Sequence, residues 1–154
     1  MSCNTIRRTS LILLVVLVVS LVASCAPKAS PATAAATRAL DWLRSQQQED
    51  GSLNIGFGHP AGVTCDAVLA IVASGGDPSS WRKAAGKPSL VEYLATTAGE
   101  YAIDAATTGK LIVTIAAAKQ DARAFGGNNW LSLLQSFEQT PGTFDAGAVG
   151  QAWA

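Results

Sequence analysis

Charge is scarce in this 154-residue chain. Only 14% of its residues are Asp, Glu, Lys or Arg, and the two signs cancel at neutral pH. Beyond the N-terminus the Lys and Arg are scattered, with only Arg82-Lys83 adjacent, so no nucleic-acid track is present. Histidine occurs once, at His59, in a stretch that reads as a loop. That leaves no Ser/His/Asp set, and neither a phosphate-cradling glycine loop nor an EF-hand loop is found. Cysteine occurs three times, at Cys3, Cys25 and Cys65. Long apolar runs are missing as well. The best one, Leu11 to Ala23, falls short of the roughly 20 residues a membrane-spanning helix needs.

That run follows Arg7 and Arg8 and ends in Val22-Ala23-Ser24-Cys25. A basic flank, a short apolar stretch and small residues make a secretory signal, expected over residues 1–24. The final four residues resemble the bacterial lipobox, which implies cleavage before Cys25 and a diacylglycerol on its sulfur. The mature protein is then expected outside the cytoplasm, held to a bacterial membrane by its lipid. Cleavage removes Cys3, and lipidation commits Cys25. Cys65 remains as the single thiol, so no internal disulfide forms and stability must come from packing. The remaining part carries nine Lys and Arg against eleven Asp and Glu. After Cys25, the rest of residues 25–34 is Ala, Pro, Ser and Thr with one lysine, a composition that suits a flexible tether.

From about Ala35 onward the pattern is helical, and the chain repeats itself. Thr64 to Trp81 (TCDAVLAIVASGGDPSSW) recurs 44 residues later as Thr108 to Phe125 (TGKLIVTIAAAKQDARAF). Thr64 meets Thr108, Val68 meets Ile112, Asp77 meets Asp121 and Trp81 meets Phe125. Each copy is an apolar helix, expected over 62–74 and 103–119, with almost no polar face. Such a helix is buried on most sides when it is too short to span a bilayer. Gly75-Gly76 ends the first, and Asp77-Pro78 supplies an N-cap and an N1 proline for the next turn. Amphipathic helices alternate with them. One runs from about Ala35 to Gln48 and stops at Asp50-Gly51, with Leu40, Leu43 and Gln47 on one face and Trp42 widening it. A second opens at Ser89-Leu90-Val91-Glu92, a capping box. A third covers Asn129 to Phe137. Leu40–Leu43 aligns with Val91–Leu94 and Leu131–Leu134, while Gln48, Gly51 and Leu53 align with Gln139, Gly142 and Phe144. The fold class is therefore all-α, with about two and a half helical hairpins and a last segment over 146–154 that starts a third apolar helix.

WLRSQQQEDGSL, followed by a Gly-rich loop and a buried helix of the TCDAVLAIVASGGDPSSW kind, resembles the repeats of the squalene-cyclase and protein-prenyltransferase superfamily. TTGKLIVTIAAAKQDARAFGGNNWLSLL is also similar to its cobalamin-carrier branch and bacterial surface relatives. The resemblance covers residues 35–154 and implies part of an α/α toroid, a ring of inner helices inside a ring of outer ones. A closed ring needs several more hairpins, so exposed inner helices are expected to be covered by further chain or by self-association. The enzymes of that superfamily use a DxDD acid or an Asp, a Cys and a His as zinc ligands. No DxDD is present, and Cys65 and Asp66 are adjacent rather than spaced, so the chain leans away from catalysis, metal and cofactor. Cys65 reads as a small buried residue and Asp66 as a favourable charge near a helix start. The aromatics Trp42, Trp81, Trp130, Trp153, Tyr93 and Phe125 read as packing between helices.

The expected function is a non-catalytic, lipid-anchored module that binds a small apolar or corrinoid ligand, or a partner, around His59, Cys65 and Asp66 at the 54–64 loop. The alternatives are the N-terminal part of a cyclase- or prenyltransferase-like enzyme and a purely structural envelope repeat. Replacing Cys25→Ser should abolish fatty-acid labelling and release the protein from the membrane fraction. Unchanged labelling and retention would remove the lipoprotein reading.

Overall fold

A computed structural model describes residues 31–140, 142–144 and 151–153. The signal segment, Cys25, the first part of the tether and most of the 146–154 segment lie outside the described residues. The chain divides into two units, residues 1–35 and 36–154. Of the first, only 31–35, the opening of a helix, are described.

The described residues are mainly helical, and the fold is all-α with one small ribbon. In order they form α1 (Pro31–Ser45), α2 (Pro60–Ala73), a 3-10 turn (Pro78–Ser80), α3 (Leu90–Tyr101) and α4 (Ala105–Ala117). A second 3-10 turn (Phe125–Gly127), α5 (Trp130–Ser136), β1 (Glu138–Thr140) and β2 (Thr143–Phe144) follow. Among these residues no helix is long and apolar enough to cross a membrane. α2 packs on both α3 and α4, and α4 packs on α5.

The twofold recurrence is structural. Ala61, Thr64, Cys65, Ala67 and Ile71 are buried in α2, and so are their counterparts Ala105, Thr108, Gly109, Leu111 and Ile115 in α4. Both helices also end in the same way. The Gly76 N–H donates to the Ile71 carbonyl at 2.9 Å and Gly75 to Val72 at 2.9 Å. Gln120 donates to Ile115 at 3.0 Å and Lys119 to Ala116 at 2.9 Å. This is the Schellman arrangement, which needs a left-handed residue just past the helix. Gly75 takes that conformation with φ of +82°. Its counterpart Lys119 does so with φ of +58°, although it carries a side chain. Asp77 and Asp121 then cap the next turn alike, each accepting an amide two residues on at 2.9 Å.

Most positions of the two apolar helices are buried or half-buried, as expected, and a narrow strip of each faces solvent: Asp66, Ala70 and Ala73 in α2, Val113 and Ala116 in α4. Their boundaries shift. α2 starts at Pro60, two residues early, because His59 is a side-chain N-cap and Pro60 fills the first helical position. α4 starts later than expected because Asp104 and Thr107 form a capping box of their own. The box foreseen at Ser89 and Glu92 is present, with the Ser89 N–H donating to Glu92 Oε2 at 2.8 Å and the Glu92 N–H to Ser89 Oγ at 3.2 Å. Arg82 donates to the same carboxylate, and together they hold Glu92 down at about 2, the Arg82 bond being the larger cause.

α1 begins at Pro31, inside the stretch read as tether, and stops at Ser45 rather than near Gln48. Gln47 is pulled out of the helix into a bridge with Leu53, and its buried Nε2 donates to the Trp81 carbonyl at 3.0 Å. Gly51 is therefore the turn of this small loop, not a helix cap. A Cβ there would lie 2.7 Å from the Ser89 carbonyl oxygen, and its φ is +90°. The same pairing recurs 91 residues later, where Glu138 meets Phe144 in the β1–β2 ribbon, as the Gln139, Gly142 and Phe144 alignment requires.

The second copy lacks this loop, since only Ala102 to Asp104 connect α3 and α4. That difference explains an orphan. Thr64 Oγ1 accepts the Leu53 N–H at 3.0 Å and donates to the Pro60 carbonyl at 2.7 Å. Thr108 is equally buried, but no loop amide reaches it, and its hydroxyl finds no partner. Trp81, Tyr93, Phe125 and Trp130 are core residues as expected. Trp42 is not: it is 53% exposed. Only Leu40 and Leu43 of α1 reach the core, so α1 uses a narrower face than its sequence offers.

The left-handed residue after each helix gives a direct test. A side chain in that conformation costs about 1 kcal/mol or more relative to glycine. Lys119→Gly should raise unfolding stability by about 1 kcal/mol, and Gly75→Lys should lower it by about as much. Urea melts with an unchanged slope are the measurement.

Candidate functional site

The open side of α2 forms one wall of a cleft of about 510 Å³. Val63, Ala67 and Ala70 of α2 line it, with Leu43 of α1, Tyr101 of α3 and the 54–59 loop contributing Ile55, Phe57 and His59. The lining is predominantly apolar, as small-molecule sites of this size usually are. The helical phase of α2 produces it. Residues 63, 66, 67 and 70 recur every three or four positions and face one way, whereas 64, 68 and 71 face the core.

Two charged groups enter the cleft. Lys110 Nζ on α4 binds Asp66 Oδ1 on α2 at 2.7 Å. The Lys110 side chain is only 17% exposed, the Asp66 side chain 63%. An ion pair this open contributes about 0.2–1 kcal/mol, well below the roughly 1.5–3 kcal/mol from burying each large aliphatic side chain behind it. Packing holds α2 to α4, and the pair fixes their register. Lys110 also lies 5.9 Å from the centre of the Trp153 ring, within cation–π range.

His59 Nδ1 accepts the Ala61 N–H at 3.2 Å. The neutral ring therefore carries its proton on Nε2. The ring leans on Tyr101, centroids 5.3 Å apart. Burial pushes the Tyr101 hydroxyl up to about 12, so it stays protonated at neutral pH.

The three residues singled out from sequence do not converge. His59 and Asp66 line the cleft together, but Cys65 faces the other way, fully buried in the core. Burial pushes its thiol up to about 11, the Thr114 hydroxyl offsetting a smaller part. A thiol so held is neither a ready nucleophile nor a ready metal ligand. Asp66 is also not a helix-start charge. It is the seventh residue of α2, beyond the first turn where the helix dipole acts, and Lys110 is its partner. Among the described residues no three His, Cys, Asp or Glu side chains form a metal-ligand cluster. Sequence reasoning missed Lys110, Phe57 and Tyr101. Phe57 had a signal, an aromatic set between two glycines in a polar loop, while Lys110 and Tyr101 are brought in only by packing.

No protein-family model, no curated protein and no solved structure matches this chain.

Proposed function

We propose that this is a lipid-anchored, extracytoplasmic α/α-toroid repeat protein that binds a small ligand without transforming it. The observation that carries the reading is the apolar cleft beside α2, about 510 Å³ in volume. It lies at the 54–64 loop, where ligand binding is expected from the sequence. Its size suits a small apolar molecule better than a corrinoid, whose macrocycle and side arms would overfill it. The toroid reading draws support from the equivalence of α2 and α4 and from the recurrence of the Gln47–Leu53 pairing at Glu138 and Phe144. The exposed apolar strips of α2 and α4, Ala70 and Ala73 in one and Val113 and Ala116 in the other, support the further proposal that a second copy or additional repeats cover them. Anchoring rests on the lipobox-like Val22–Cys25 segment.

Binding is favoured over catalysis by the state of the candidate groups. The Asp66 carboxylate is engaged by Lys110, whereas an alkene-protonating acid must be held protonated by neighbouring carboxyls. Cys65 lies on the opposite face of the same helix.

Ala70 is exposed, lines the cleft and lies away from the core. Ala70→Trp should therefore fill the site and leave the fold intact. In fluorescence titrations with the neutral probe N-phenylnaphthylamine, the full chain should bind saturably and Ala70→Trp about tenfold more weakly. Equal binding by both, with equal melting temperatures, would remove the cleft as the site.

A further inference from the structure

The charges in the cleft say what kind of molecule it accepts. This step rests on the reading of the cleft as a ligand site. The two charged groups that line it are engaged with each other. Lys110 is held by Asp66 at 2.7 Å and stands over the Trp153 ring. His59 spends Nδ1 on the Ala61 amide and lays its ring against Tyr101. The two full charges cancel, so the walls carry no net charge. An anion entering here would find Lys110 mostly covered and already paired, with the more open Asp66 carboxylate beside it to repel the newcomer.

The apolar part of the lining is, by contrast, unsatisfied. Phe57 is 74% exposed and sits at the rim between Gly56 and Gly58. Asn54 Oδ1 accepts the Gly56 N–H at 2.9 Å and shapes the loop that presents the ring. Ile55, Val63 and Leu43 line the same cleft. An exposed aromatic ring in a cleft with aliphatic walls gains most from covering a neutral apolar body bound there.

We infer that the cleft selects a neutral, largely apolar small molecule over an anionic one, with Phe57 as the residue that covers it. The paired charges fix the register of the helices and contribute no binding site for a charged head group. Selectivity then comes from the covered, paired lysine and the open carboxylate that an anion would meet.

A matched pair of probes tests this on the full chain: N-phenylnaphthylamine and anilinonaphthalene sulfonate share a ring system, and only the second carries a negative charge. The component of binding that Ala70→Trp removes is the cleft's own. In that component the neutral probe should bind at least about tenfold tighter than the sulfonate, and Phe57→Ala should weaken the neutral probe about tenfold. Lys110→Met with Asp66→Leu, which removes both charges, should leave neutral-probe affinity within about twofold. Sulfonate binding as tight as the neutral probe overturns the selectivity, and unchanged affinity in Phe57→Ala overturns that residue's role. If Ala70→Trp removes no binding of either probe, the cleft reading itself fails.

Discussion

The structure depends on two helices that carry one charge each and are buried or half-buried along most of their length. Ile71 and Ile115, Ala67 and Leu111, Thr64 and Thr108 occupy the same positions in α2 and α4 and face the same core. Burial of the aliphatic side chains contributes a few kcal/mol apiece, and no other interaction in the described residues approaches that sum. The outer elements follow from it. α3 packs on α2, the Phe125 turn packs on α3, and α5 packs on α4. Trp81 and Phe125 fill the ends just beyond the two apolar helices, and a side chain satisfies each of their carbonyls, Gln47 Nε2 at 3.0 Å and Trp130 Nε1 at 2.8 Å.

The same economy produces the cleft. A helix apolar all round that packs on one side leaves the opposite side apolar and open. In α2 that side faces the 54–59 loop, which only the first copy possesses. The equivalent positions of α4, Thr107, Lys110, Leu111 and Thr114, are buried or half-buried, and no loop stands beside them, since three residues join α4 to α3. The second copy therefore does not carry the open cleft face of the first. The absent loop also leaves Thr108 without the amide that Thr64 receives. The second copy is shorter here than the first and still carries the buried polar residue.

Much of this could be read from the residues. The register of Thr64 on Thr108 and the capping box at Ser89 and Glu92 rest on local chemistry and spacing, which a sequence displays. So does the correspondence of Gly51 with Gly142. The errors have long-range causes. α1 stops at Ser45 because Gln47 is drawn to Leu53 and Trp81, a pull from 34 residues away. Trp42 aligns with Tyr93, but α3 lies against α2 whereas α1 reaches the core only through Leu40 and Leu43. Asp66 shows no sign in sequence of the Lys110 that pairs with it. His59-Pro60 and Asp104 to Thr107 did carry signals: the first repeats the logic of Asp77-Pro78, and the second is a capping box with threonine at its third position.

Native-state hydrogen exchange measures the equivalence of α2 and α4 most directly. The account predicts that the amides of residues 68–71 and 112–115 are the slowest in the molecule. They should exchange with the same free energy and the same denaturant dependence, as one cooperative unit, while those of residues 36–42 in α1 exchange much faster. Separate opening energies for the two helices, or protection of α1 equal to theirs, would contradict it.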